Sequence, residues 1–306
     1  MRSLIVAVTI ALSLPASAHP LQGRIVETAS GDILAEAGTL VQRLKGADVV
    51  VLGEVHDNPL HHEFQADIVT ALAPAGLSFE MVAPEDESML ARLRRERAPA
   101  AVLGAALRWE ERGWPDFAMY APIFEAAGRA EVTGGAVDPR ILALAMEEGA
   151  AVAGRSALGA SVVRYGLEAD LDEAMLAEAV AEQVRAHCDA IPEALAERMV
   201  EAQRVRDAAF ADAVLRARAL GDDGQVVLIA GKGHGRIDRG VPALVERAAP
   251  NLQVVTIAFA EVREGAEDWQ AYAGGGPSPL YDYLWFTEAA EREAPCIAFR
   301  RSRGLD

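Results

Sequence analysis

Three of the six histidines, His56, His61 and His62, fall within seven residues, and a fourth, His234, sits in the glycine-rich turn AGKGHG. Histidine titrates near neutrality and ligates metals, so such clustering points to chemistry. Glu54 lies two positions before His56, and Glu80 interrupts the apolar run LSFEMV. A carboxylate in such a run needs a cation or a hydrogen-bond donor, because burying it unpaired costs several kcal/mol. Glu54, His56, Glu80 and His234 therefore form a candidate cation site, one that suits haem iron or a divalent ion such as Mn, Zn or Co. With a bound divalent ion, Glu54 or Glu80 would serve as general base, so both are candidate catalytic residues of a metal-dependent hydrolase. The competing interpretation is a set of satisfied core polar groups.

Both turns share the spacing Gly-x-x-His, as Gly53 to His56 and as Gly231 to His234. In VVVLGEVHDNP an apolar strand stops at Gly53, and Asn58-Pro59 supplies an N-cap and a first helical residue. In VVLIAGKGHG the glycines let backbone approach a ligand while Lys232 and His234 project from the turn. The order is not that of a nucleotide-binding phosphate loop. Both turns leave the carboxyl ends of strands, where open α/β sheets bind ligands. Gln203, Arg206 and Asp207, at i, i+3 and i+4, share one helix surface. Arg206 there could hold a substrate carboxylate or haem propionate, or else an ordinary ion pair. The aromatic-rich segment WEERGWPDFAMY, residues 109–120, reads first as core. Its Tyr120 is a candidate axial oxygen ligand for ferric haem.

The elements that must position these residues alternate between short β-branched runs and long Ala-, Leu-, Glu- and Arg-rich stretches. That alternation predicts an α/β fold with a mainly parallel sheet and helical insertions forming a lid layer. Strands are expected at Ala47–Leu52, Leu77–Val82, Glu131–Val137, Gln225–Ala230 and Leu252–Phe259, with a hairpin over Arg24–Ile33 and an edge strand over Cys296–Arg300. The insertions span about 84–129 and 167–220 within one domain over 19–306, and Gly274–Pro279 reads as a loop.

Acidic residues outnumber basic ones 46 to 29, a formal charge of −17. No stretch concentrates Lys and Arg enough for a phosphate backbone, which argues against nucleic acid as a partner. Lys45 and Lys232 are the only lysines. The first eighteen residues, MRSLIVAVTIALSLPASA, join one charge to a short apolar run and an A-x-A ending, the pattern of a secretory signal peptide. The expected product begins near His19, is periplasmic and soluble, spans no membrane and, with no cysteine at the cleavage point, carries no lipid anchor. In an oxidising compartment Cys188 and Cys296 are expected to pair, closing a loop worth about 4 kcal/mol in the chain-entropy model.

The segments GEVHDNPLHH at 53–62, FEM at 79–81, AQRVRD at 202–207, AGKGH at 230–234 and RIDRGVP at 236–242 together resemble the ChaN-like family of the haem-binding uptake and Tiki superfamily. The resemblance implies an α/β core, an envelope location, iron-regulated haem or iron uptake, and haem as a ligand of a protein that can act as a homodimer. Tyrosine ligation of haem is among the family's properties. Other branches of the superfamily are metal-dependent hydrolases whose site uses the two Gly-x-x-His turns and a Glu; the matching positions are His56, His234 and Glu54 or Glu80. Among the site residues, Gln203, Arg206, Lys232 and Tyr120 would serve cofactor binding beside His56 and His234.

Overall fold

Apolar runs become strands, and their period of two decides what each face meets. A computed structural model describes residues 19–274 and 278–304. The export signal expected over 1–18 lies outside the described residues, as do 275–277 of the expected loop. The strands are β1 (Ile25–Glu27), β2 (Ile33–Leu34), β3 (Val49–Glu54), β4 (Gly76–Phe79), β5 (Glu131–Gly134), β6 (Val226–Gly231), β7 (Val254–Glu261) and β8 (Tyr283–Thr287). They form a sheet in the order β2-β1-β8-β7-β3-β6-β4-β5. The pairings from β8 through β5 are parallel, whereas β1 runs antiparallel to β2 and β8.

Along β3, Val50 and Leu52 enter one core while Val49 and Val51 enter the other; β6 repeats this with Val227 and Ile229 against Val226 and Leu228. Burial on both faces is why these strands read as unbroken apolar runs. Helices Pro59–Leu72 and Phe117–Ala126 cover the first face, and the long helix Glu193–Leu220 covers the second through Val205, Phe210 and Val214. Asn58 caps the 59–72 helix by accepting from the Leu60 N–H, with Pro59 in its first turn, as the sequence predicts.

The expected edge strand at Cys296–Arg300 is instead part of a helix, Pro295–Ser302. Pro295 starts it, and none of its residues is buried, so no apolar alternation exists for a sheet edge to bury. The strand beside β7 is β8, with the aromatic run YLWFT. The first insertion breaks into helices Glu87–Arg95, Ala100–Ala106 and Phe117–Ala126, and the second forms a helical hairpin of Glu173–Ala186 and Glu193–Leu220. Helices Pro139–Glu148 and Ala150–Leu158 lie outside both expected insertions. Cys188 and Cys296 are bonded, joining the turn of that hairpin to the C-terminal helix across 108 residues of chain. Among the described residues no helix is long and apolar enough to cross a membrane.

Candidate functional site

β3, β4 and β6 are neighbours in space, so the segments that follow them bring Glu54, His56, Glu80 and His234 to one end of the sheet. Close approach of the two turns depends on glycine. A Cβ at Gly53 would lie 2.8 Å from Lys232 Cα, and one at Gly231 would lie 3.0 Å from His56 Nε2 and 3.5 Å from Glu80 Oε2. The glycine of each turn thus makes room for the other turn.

Glu54 is sealed in the interior and receives four donors. Tyr120 donates its hydroxyl at 2.7 Å and His56 its Nδ1–H at 2.8 Å to Oε1; Gln65 Nε2 at 2.6 Å and His62 Nδ1 at 3.2 Å serve Oε2. Burial alone would raise the Glu54 pKa, but the bonds and charges of His56 and His62 outweigh it and hold the carboxyl well below its ordinary range. His62, itself fully buried beneath the Tyr120 ring, donates Nε2–H to the His56 carbonyl at 2.9 Å. Its pKa is raised against its burial by Glu54. His61 is different: its Nδ1 accepts from the Val55 N–H, its Nε2 meets Thr287 Oγ1, and burial pushes its pKa down to about 3. It is a neutral strut between the turn and β8.

Glu80 accepts the Gly231 N–H at 2.8 Å and lies 3.4 Å from His234 Nε2 and 3.9 Å from His56 Nε2. Despite burial its pKa falls to about 2, because His234 and His56 lend it positive charge. On the other side of His234, Nδ1 meets Asp207 Oδ1 at 2.5 Å. Burial would lower the His234 pKa, but the two carboxylates outweigh it and push it up to about 10. A protonated ring can only donate, so the Gln203 amide 2.9 Å from Nδ1 must turn its oxygen toward that nitrogen. His234 is therefore an imidazolium clamped between Glu80 and Asp207.

His56 is the exception. Its side chain is 35% exposed, against 8% for His234. It holds Glu54 with Nδ1 and stands 5.3 Å from the Trp114 ring, and its Nε2, 3.9 Å from Glu80 Oε2, makes no hydrogen bond among the described residues. Burial would lower its pKa, but Glu54 and Glu80 outweigh it and raise it. Trp114 lines an adjoining cavity of about 680 Å³, as do Glu80, Met81 and Phe210. Arg108, Arg112 and Arg206 line it, along with the acids Glu85, Glu111 and Asp138. Arg112 pairs with Asp86 at 2.6 Å, whereas the exposed Arg108 and Arg206 have no carboxylate partner among the described residues. Arg108 also holds a left-handed backbone, φ 51°, which a non-glycine residue adopts only when its surroundings impose it.

Several expectations change at this point. Among the described residues no group of three His, Cys, Asp or Glu side chains is arranged to hold a metal ion, which leaves the divalent-cation site without support. The chemistry supplies the reason: Glu54 is saturated by protein donors, and both His234 nitrogens face carboxylates. Tyr120 is completely buried, and burial together with the Glu54 charge raises its phenol far above the ordinary value. It is a donor to Glu54, not a reachable ligand. Of the five tyrosines, Tyr165, Tyr281 and Tyr283 are also buried and Tyr272 is half-buried. Lys232 leaves the turn away from His56 and lines a different cleft. Gln203 and Arg206 do face the site, but Gln203 serves His234 and only Arg206 reaches the cavity. Sequence reasoning noted His62 in the histidine cluster and Trp114 in the aromatic-rich segment but gave neither a role in the site, and it missed Gln65, which the helical spacing from Asn58 places beside His62 under Glu54, and Arg108.

The family model described as haem-binding uptake, Tiki superfamily, ChaN matches residues 40–245, more than half of the chain. No curated protein matches. Among solved structures, that described as cofacial heme binding to ChaN of Campylobacter jejuni aligns with a TM-score of 0.63 at 18% identity, covering 85% of this chain and 95% of its own. That likeness shows a shared fold. The type III effector HopBA1 aligns over 82% of this chain and 93% of its own at 13% identity, with a TM-score of 0.44.

Proposed function

This chain belongs to the ChaN family of haem-binding uptake proteins in the Tiki superfamily, and on that premise we propose that it is a periplasmic protein of haem or iron uptake that binds haem in front of His56. Haem brings an iron in need of axial donors, a flat apolar body and two carboxylates. His56 suits the iron: a ligating imidazole usually gives its other N–H to a carboxylate, which fixes the ring and raises its basicity, and Glu54 accepts that proton at 2.8 Å. The missing Cβ of Gly231 keeps the space beside Nε2 clear. Trp114, Val137 and Leu142 offer apolar surface, and Arg108 and Arg206 are two guanidinium forks without a carboxylate partner among the described residues, available for propionates. The cavity, about 680 Å³, lies within the range of roughly 300–1,000 Å³ common for ligand sites.

The observation that carries this reading is the half-exposed His56, whose Nδ1 is held by a buried carboxylate and whose Nε2 makes no hydrogen bond among the described residues, so that loss of the Nε2 proton would leave a lone pair for iron. Titration of purified protein with ferric haem, followed by Soret absorbance, should saturate, and His56→Ala should shift the band and weaken binding by more than tenfold. Identical spectra for the two proteins would remove His56 as the ligand, and no saturable binding in either would remove haem. The Campylobacter jejuni protein is described as binding haem cofacially. For this chain a homodimer holding haem pairs is the corresponding proposal, tested by sedimentation with and without haem.

A further inference from the structure

Lys232 is one of two lysines in the chain, and the site around His56 does not use it. It projects instead into a separate cleft of about 370 Å³ between its own turn, the Glu173–Ala186 helix and the ends of β7 and β8. We propose that this cleft binds a small oxyanion bearing two or more negative charges, of the phosphate or polycarboxylate type. The proposal stands apart from the haem reading.

The charges in the cleft are unevenly matched. Its three acids, Glu178, Glu182 and Glu261, are already engaged. Arg236 and Arg239 hold the first two, and Arg292 together with Asn58 and the Ala290 N–H holds the third. Asp238 and Asp57 share Arg236 and Arg292 with them, so the six cations in and around the cleft exceed the five acids by one. Three of those cations nevertheless stand without a carboxylate partner among the described residues. Lys232 and Arg185 have no hydrogen bond or ion pair through their side chains among the described residues. Arg263 is held over the Tyr272 ring at 4.4 Å and donates Nη2 to the Ala271 carbonyl, with no carboxylate partner among the described residues. Stacking and that bond pre-orient a fork suited to a bidentate oxyanion. The wall between them is Tyr281, a buried side chain whose hydroxyl has no hydrogen-bond partner among the described residues. Burial raises its pKa, so that hydroxyl stays a donor. Three unpartnered cations gathered at one cleft of a protein of net charge −17 are a placement that general surface solvation does not explain.

Isothermal titration at constant ionic strength, with inorganic phosphate in one series and citrate in another, tests this. Saturable one-to-one binding of either probe is expected, and the probe that binds distinguishes a phosphate from a polycarboxylate site. Lys232→Met and Arg263→Gln should each weaken it by roughly tenfold or more. Both residues are exposed, so the variants should fold, which circular dichroism checks. Arg206→Gln, in the cavity beside His56, should leave the oxyanion affinity unchanged. The proposal is overturned if neither probe binds saturably, if both Lys232→Met and Arg263→Gln bind like the wild type, or if Arg206→Gln is the variant that abolishes binding.

Discussion

The two Gly-x-x-His turns carry the same spacing on adjacent parallel strands, yet they put their histidines to opposite uses. His234 is enclosed and held by carboxylates on both nitrogens, Asp207 at 2.5 Å and Glu80 at 3.4 Å. His56 has one hydrogen-bonded carboxylate partner, and its other nitrogen, 3.9 Å from Glu80, makes no hydrogen bond among the described residues. The difference arises outside the motif: the 193–220 helix brings Asp207 and Gln203 against His234, whereas His56 meets the Trp114 ring, which in turn lines the adjoining cavity. A repeated motif therefore marks a repeated backbone geometry, and the neighbouring helix decides whether the histidine is a charge inside a scaffold or a group that meets a ligand.

Stability should expose this contrast most strongly. His234→Ala leaves Glu80 and Asp207 buried without their shared cation and should cost about 3–5 kcal/mol in urea denaturation. His56→Ala leaves Glu54 with three other donors and should cost about 1 kcal/mol or less. Equal costs would erase the distinction between the two turns.

The pH dependence of stability should follow from Glu80 and His234, with Asp207, whose pKa burial raises, working against the acid limb. The folded His234 pKa of about 10 lies above its ordinary 6.5, so its contribution is complete below pH 6.5 and fades as pH rises toward 10. Glu80, at about 2 against an ordinary 4.5, contributes fully above pH 4.5 and loses its contribution as pH falls toward 2. Thermal melts across pH 2 to 10 should show both limbs, and in a folded His234→Gln variant the alkaline limb should flatten.

Smaller effects separate the glycines and the rim. Gly231→Ala should crowd His56 Nε2 and lower haem affinity several-fold, while Gly233→Ala, whose added Cβ meets nothing within 4 Å, should not. Arg206→Gln removes an exposed charge and should weaken haem by a few-fold, less at high salt, with an unchanged melting temperature.

Much of the scaffold was legible in the sequence because apolar runs closed by glycine have few alternatives. β3, β6 and β7 lie within two residues of expectation, and the Asn58-Pro59 helix start is where its cap chemistry puts it. Segments 296–300 and 283–287 were harder, since both are short and mix aromatic or aliphatic residues with no clear period, and only packing against β7 selects the second as a strand. The site was legible as a collection of residues but not as a set of roles. Nothing local distinguishes a tyrosine that looks out from Tyr120, which packs inward against Trp109 and His62 to serve Glu54. Likewise, Lys232 and His234 stand two positions apart, yet the turn sends them into different surroundings.

The central claim is that His56, and not His234, is the histidine offered to a ligand. Imidazole rescue of His56→Gly tests it most directly, by recording the ferric haem spectrum of wild type, of the variant, and of the variant with added imidazole. The account predicts a band altered in the variant and restored by imidazole. A variant spectrum identical to that of the wild type, before any imidazole is added, would contradict it.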